Sequence, residues 1–453
     1  MKVSIGPLLR NAFWAVGSFG LAQILRLAMN ITLARLLAPE LFGIMLIVNS
    51  FRTGIELMSD VGIGQNVIFH KDGNKPEFYN TAWTLQFMRG LFLWPLAAAL
   101  AVPIAKFYEI PVLISIIPIT SLNIVLGGAV SISRFLLQKR MQIARLSAFE
   151  AAQAFVSFVG YLLLAYITPT IWSLVWGGVF AAAVETAGSY FLIPDVKQKF
   201  SVSRKYAWEI LNYGKWIFAS SIVYFLSMNF DRLYLAKAVP LQLVGVYGIA
   251  RSLSEMVGFV VLRLGNYVLL PFVASHAQTP RSELRAGLSS IRGKFLLLAA
   301  FGLSLFVATA DLPIKVLYDQ RYQAATWMLP VLAMGAWLST LATINEATLL
   351  GLGKPSYSAA ANGSKFVAML VGLPLGITLD GIIGGILVVG ISDVWRYVPI
   401  LAGQRRQGIS FGSQDLLTTL ALLLMVLLWE VLRWAAGFGT SFENVFSVTT
   451  SLR

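Results

Sequence analysis

Long apolar stretches broken by short polar turns run the length of this chain. A membrane-spanning helix needs about 20 mostly apolar residues. Thirteen stretches meet that length: 11–37, 41–64, 79–106, 110–138, 145–167, 170–194, 213–237, 241–270, 292–310, 325–352, 356–379, 381–401 and 415–436. Several are longer than a straight crossing requires, which predicts tilted or bent helices. The first continues to Leu37 without a small-residue cleavage site, so it reads as a retained span and not a signal peptide.

Composition agrees with lipid as the solvent. Of 453 residues 57% are hydrophobic and 12% charged, against about 25% charged in soluble domains. Mean hydropathy is +0.74. The net charge of +14 would point to nucleic acid in a soluble protein; here it reads as loop charge that sets topology, with no nucleic-acid partner. With the N-terminus inside, 21 Lys and Arg fall on the inner side, 8 on the outer side and 6 within spans. The positive-inside rule therefore predicts a cytoplasmic N-terminus. The absence of cysteine excludes disulfides, thiolate metal sites and cysteine nucleophiles. His70 and His276 alone leave little for histidine chemistry.

A short repeat divides the chain. Leu33-Ala34-Arg35 with Leu41-Phe42-Gly43 recurs as Leu235-Ala236-Lys237 with Leu243-Val244-Gly245, and Pro39 and Pro240 punctuate the two turns. The expected organisation is a six-helix lobe over 1–194, a basic cytoplasmic linker over 195–212, a second six-helix lobe over 213–401, and a tail over 402–453 with one further span. Two such halves make a parallel repeat, and transporters commonly hold substrate at the repeat interface.

Four stretches carry a resemblance: Ala34 to Gly43 (ARLLAPELFG), Ser59 to Gly64 (SDVGIG), Thr81 to Gly90 (TAWTLQFMRG) and Leu136 to Met141 (LLQKRM). In order and spacing they resemble the polysaccharide-transport, Wzx-like branch of the MOP flippase superfamily. The resemblance covers roughly 1–400, and in the second half it rests on architecture and on Pro271 to His276. It implies an all-α polytopic fold of two six-helix lobes forming a V-shaped central cavity. It further implies export of undecaprenyl-diphosphate-linked oligosaccharide by alternating access, for exopolysaccharide or O-antigen synthesis, across a bacterial inner membrane. One departure is the tail, with a single extra span where relatives often have none or two.

Charges at membrane depth name the candidate site. An ionised side chain near the bilayer centre costs about 2.5–3.5 kcal/mol on insertion scales and usually faces a cavity or a partner. Arg26, Arg52, Arg89, Arg251 and Lys365 lie well inside spans. Together they are expected to line a cationic lumen suited to a diphosphate, since guanidinium forks match phosphate oxygens. In the related lipid II flippases cavity arginines lie on spans one, two and eight, the spans of Arg26, Arg52 and Arg251. Arg52 with Glu56, and Arg251 with Glu255, are spaced for pairing on one helix face. Arg263 is expected to snorkel to the interface. Glu56, Asp60, Glu185, Glu255, Glu346 and Asp393 are candidates for gating or for coupling to H+ or Na+, or else static partners of the cations. The loop cations Arg134, Lys139, Arg140 and Arg145 read as topology charges.

The function expected is therefore that of a flippase rather than an enzyme, with no resident cofactor or metal, acting as a monomer among membrane lipids and open to association with glycan polymerisation machinery. The alternative is a multidrug or organic-cation exporter of the same superfamily, which would need a lumen rich in acids. A glycan polymerase would display a long reactive outer loop; the segment 311–324 offers only Asp311, Lys315, Asp319 and Arg321.

Overall fold

The computed structural model describes residues 5–264, 269–276 and 278–443, and among them there is no strand. The first nine helices are α1 (Ile5–Leu36), α2 (Pro39–Leu57), α3 (Ile63–Phe69), α4 (Pro76–Tyr108), α5 (Leu113–Thr120), α6 (Leu122–Ala129), α7 (Ser133–Lys139), α8 (Ile143–Ile167) and α9 (Ile171–Ser189). The second nine are α10 (Arg204–Ala238), α11 (Leu241–Leu264), α12 (Leu270–Ser275), α13 (Arg281–Ala308), α14 (Asp311–Leu317), α15 (Ala325–Gly351), α16 (Ser356–Ile391), α17 (Asp393–Arg406) and α18 (Gly412–Ala435). Each of the thirteen expected stretches contains helix among the described residues, with breaks inside 41–64 and 110–138. The repeat shows as geometry: α1 and α2 are joined by two residues before Pro39, and α10 and α11 by Val239 and Pro240. Proline fits a helix start because its missing N–H has no intrahelical partner there.

Among the described residues, seven helices are long and apolar enough to cross a membrane, with Ser356–Arg406 counted as one. A break divides that stretch into two arms. Asp380 and Gly381 leave helical geometry, Gly381 at φ 54°, and the arms then pack backbone to backbone. A Cβ on Gly384 would collide with the Gly376 carbonyl oxygen. The bent pair Leu113–Ala129 and Ser133–Lys139, at 50°, is another candidate crossing. Of the helices of 18 residues or more, those that fall short among the described residues are α1, α2, α10 and α11, the first two of each half. They carry Arg26, Arg52 with Glu56, Asp231 with Arg232, and Arg251 with Glu255. Their polar content is what a lipid-facing helix avoids and a cavity-facing helix tolerates.

Two compact units emerge, residues 1–225 and 226–453. The division falls inside α10, beyond the linker expected over 195–212. The linker is tied to the first unit: Asn80 Oδ1, Thr84 Oγ1 and Thr81 Oγ1 on α4 accept backbone N–H groups of Lys199 (3.0 Å), Ser201 (3.1 Å) and Ser203 (3.0 Å). Phe200 lies against Trp83, ring centroids 4.8 Å apart. Tyr206 and Ile210, at the start of α10, join the core formed by Phe78, Ala82, Leu136, Leu192 and their neighbours. In the loop before α4, Lys75 donates to Asp72 at 2.7 Å, which holds the Asp72 carboxyl below the usual carboxylate range. The Gln86 amide donates to the carbonyls of Gly127, Gly128 and Val130 at 3.1–3.3 Å, where α6 unwinds before α7. The Thr81 to Gly90 stretch that carried part of the resemblance thus latches a linker and a broken span.

In the second unit, a core of Leu296, Ala300, Trp337, Leu341 and Leu422 joins α13, α15 and α18. Helix α18 runs parallel to α13. Their contacts keep nearly constant separation: Arg292 with Asp415, Ser304 with Trp429 and Ala308 with Arg433 are 123, 125 and 125 residues apart. Twenty-four residues reach about 36 Å at 1.5 Å per residue, enough for a hydrocarbon layer of about 30 Å. The thirteenth stretch therefore has the length and the packing of a span. In this naturally cysteine-free chain, Arg406→Cys and Phe438→Cys should label with a membrane-impermeant maleimide from opposite faces. Labelling from the same face would show that α18 lies at the interface.

Candidate functional site

The first unit encloses a polar cavity of about 450 Å³. Its walls come from six helices: Asn49, Arg52 and Glu56 from α2, Arg89 from α4, Thr120 from α5, Asn123 from α6, Gln153 and Tyr161 from α8, and Gly178 and Glu185 from α9. Such a chamber forms because these faces carry amides, a phenol and charges in place of the leucines and valines that fill a packed seam. Arg52 Nη1 bonds Glu56 at 2.8 Å, the pairing expected from i, i+4 spacing, and both side chains stay partly open, at 27% and 33% exposure. Arg89 is held more loosely. Its Nη1 donates to the Ser59 carbonyl at 3.1 Å and lies 3.6 Å from Asp60. Glu185 is gripped by Arg134, which also reaches Glu150 at 3.4 Å. Arg134, read from sequence as a topology charge, is thus a partner of a cavity carboxylate. Its spacing from Glu185 gives no sequence signal. Lys139 likewise donates to the carbonyls of Ile68 and His70, closing α3 against α7.

Asp60 sits where α2 breaks into α3. It accepts the N–H of Gly62 at 2.9 Å, and Gly62 takes the left-handed conformation at φ 65° that a side chain resists.

The second unit collects its charges into neutral networks. Arg251 Nε lies 3.1 Å from Glu255 and 3.4 Å from Asp231. Arg232 Nη2 donates to both Glu255 oxygens at 2.7 Å, and Tyr247 donates to Asp231. Further along, Lys365 Nζ lies 3.0 Å from Asp393, with the two side chains 2% and 9% exposed. Arg396 pairs with Glu346 and stands 3.8 Å from Asp393. Lys365, expected on a lumen wall, is therefore sealed in a helix seam. An ammonium at that depth is tolerable only beside a counter-charge. Asp231, Arg232 and Arg396 were not singled out from sequence, because their partners come from other helices.

A second buried node ties the tail helix down. Arg292 pairs with Asp415 and donates to Asn345 at 3.1 Å, while Asp415 accepts from Asn345 at 2.8 Å and from Tyr397 at 2.6 Å. Arg292 is one of the 21 Lys and Arg that the sequence places on the inner side; its side chain is 1% exposed.

Arg26 is exposed on α1 and makes no ion pair among the described residues. The side chain of Arg263, and those of Lys2, Arg10, Lys215 and Arg453, lie outside the described residues. The structure thus brings Arg52 and Arg89 onto one cavity, sets Arg251 in a charge network, and gives each of the six candidate acids a cationic neighbour.

These features have relatives. A family model described as "Polysaccharide biosynthesis protein" matches residues 32–326. The chain is 25% identical over 287 residues to the amylovoran biosynthesis protein AmsL of Erwinia amylovora, covering 62% of this chain and 72% of that one. It is 25% identical over 357 residues to the succinoglycan biosynthesis transport protein ExoT of Rhizobium meliloti (strain 1021), covering 76% of this chain and 69% of that one. Among solved structures, the lipid II flippase MurJ in an inward closed conformation superposes with a TM-score of 0.71 at 12% identity, over 91% of both chains. At that identity the likeness shows a shared fold. With a family model spanning well over half of its length and helices built for lipid, this multi-pass membrane chain belongs to the polysaccharide biosynthesis protein family.

Proposed function

We propose that this protein is a flippase. It carries undecaprenyl-diphosphate-linked oligosaccharide from the inner to the outer leaflet of a bacterial inner membrane by alternating access, for exopolysaccharide or O-antigen synthesis. Its N-terminus is cytoplasmic, and it works as a monomer beside the glycan polymerisation machinery. One observation carries the reading: Arg52 and Arg89, 27% and 28% exposed, open onto a single polar cavity within a bundle of membrane helices. A diphosphate brings acceptor oxygens that two guanidinium forks can hold in place of weaker partners. The family match and the printed roles of ExoT and MurJ support a lipid-linked glycan as cargo.

An organic-cation exporter would need carboxylates free to receive the cation. Here the cavity carboxylates Glu56 and Glu185 are already matched by Arg52 and Arg134, while Arg89 is held by the Ser59 carbonyl and the looser contact with Asp60. Coupling to H+ or Na+ would proceed by partner exchange among Glu56, Asp60, Glu185, Glu255, Glu346 and Asp393, all of which have a cation to release.

The test is reconstitution of the purified chain in vesicles containing fluorescent undecaprenyl-diphosphate-linked sugar, with leaflet exposure read by a membrane-impermeant quencher. Protein-dependent translocation of the lipid is expected, with no saturable uptake of organic cations. Cation uptake without lipid translocation would reverse the assignment.

A further inference from the structure

A second chamber of about 340 Å³ adjoins the first within the same unit. It is lined by Asp60, Gln65, Gln86, Arg89, Phe135 and Gln138, together with Ile63, Gly64 and Ile68. It lies where α2 and the fourth span both break, between the short helices α3 and α7 and the side of α4. Arg89 belongs to both chambers, so its guanidinium stands at their junction.

The chemistry of the two chambers differs. The first is rich in ions. The second holds amides and one aromatic face beside the junction pair of Arg89 and Asp60. Gln86 is committed to the carbonyls at the α6 break. The side chains of Gln65 and Gln138 make no hydrogen bond among the described residues. Each offers two donors and an acceptor on a planar group, the complement of neighbouring sugar hydroxyls. Phe135, partly buried against the unit core, supplies an apolar face for the C–H side of a pyranose ring. The volume lies within the about 300–1,000 Å³ typical of small-molecule sites.

We propose that this second chamber is the subsite for the sugar joined directly to the diphosphate, with Gln65 and Gln138 as its specificity-determining residues. A phosphate held at Arg89 leaves its next covalent neighbour one step away, in the chamber lined by those amides. The proposal rests on the flippase reading and deepens it: the ion-rich chamber grips what all lipid-linked glycans share, and the amide chamber reads the first ring.

The test separates the two claims by binding rather than transport. Full-length protein in detergent is titrated with a short-chain polyprenyl diphosphate, and with the same lipid bearing one hexose, using ligand-induced thermal stabilisation as the readout. In the wild type the hexose should tighten binding about tenfold, the effect of one or two neutral hydrogen bonds. Gln65→Ala with Gln138→Ala should abolish that gain, leaving affinity for the bare diphosphate and the unliganded melting temperature unchanged, and each single variant should lose part of it. A hexose gain that survives in the double variant would overturn the subsite. So would equal wild-type affinity for the two lipids, with the diphosphate reading left standing. Binding of neither lipid would remove both.

Discussion

Arg52→Ala is expected to cut translocation of the lipid-linked sugar by about 10- to 100-fold, while Glu56→Gln keeps or raises it. Hydrogen bonds to charged groups contribute about 1.5–3 kcal/mol, and each 1.4 kcal/mol is about tenfold in affinity. The sign for Glu56 follows from its role in the structure. It accepts from Arg52 at 2.8 Å in a partly open cavity, so it competes with any incoming phosphate for the same guanidinium. Neutralising it weakens the competitor and leaves the fork in place. Arg52→Lys keeps the charge but loses the planar fork, and should fall between wild type and alanine. The double variant Arg52→Ala with Glu56→Ala decides between a binding role and a structural pair. A pair that only stabilises the fold is restored when both charges go, because no lone charge remains. A binding arginine is not replaced that way, so the double variant should translocate as poorly as Arg52→Ala. Recovery of transport in the double variant would assign the pair to architecture alone.

What could be read in the sequence followed the period of the helix. Arg52 with Glu56 and Arg251 with Glu255 were visible as pairs because residues four apart share a helix face, and both form. The apolar helices were visible because lipid demands long apolar runs whatever the tertiary packing, and seven of them have the length and composition of spans among the described residues. Their breaks were not. The turn at Gly62, the unwound link between α6 and α7, and the fold-back at Asp380 and Gly381 depend on what each segment packs against. Tertiary partners stayed hidden for the same reason. Lys365 with Asp393, Arg134 with Glu185 and Arg232 with Glu255 join positions 28, 51 and 23 residues apart on different helices. An arginine near a span end looks the same in sequence whether it meets water or a buried carboxylate, and so Arg134 reads as a topology charge and Arg292 as one of the inner-side charges. The short stretches that carried the resemblance pointed to the right family. Within them the tasks divide: Thr81, Thr84 and Gln86 hold backbone in place, while Asp60, Arg89 and Gln138 line the chambers.

The largest stability effect should come from Arg292, a residue far from the proposed cavity residues in sequence and in the other unit. Its side chain is 1% exposed and faces Asp415, 3% exposed, with Phe411 beneath the guanidinium at 4.7 Å. Removing one partner of a buried ion pair strands the other charge and typically costs about 3–5 kcal/mol. Arg292→Ala is therefore expected to lower the thermal stability of the solubilised protein sharply, with Asp415 left to Asn345 and Tyr397 as its remaining donors. Arg292→Leu with Asp415→Leu should recover most of the loss, since apolar residues of similar volume can replace a buried pair at little or no cost. The comparison also shows what the tail helix does. If the pair locks α18 to α13, Arg292→Ala should expose Phe438→Cys and neighbouring tail positions to faster proteolysis or labelling before the rest of the second unit melts. Translocation per folded molecule should stay near the wild-type value, because the node touches no residue of the proposed cavity. An Arg292→Ala variant as stable as the wild type would mean that water reaches this node and that α18 is held by its leucine-rich contacts alone.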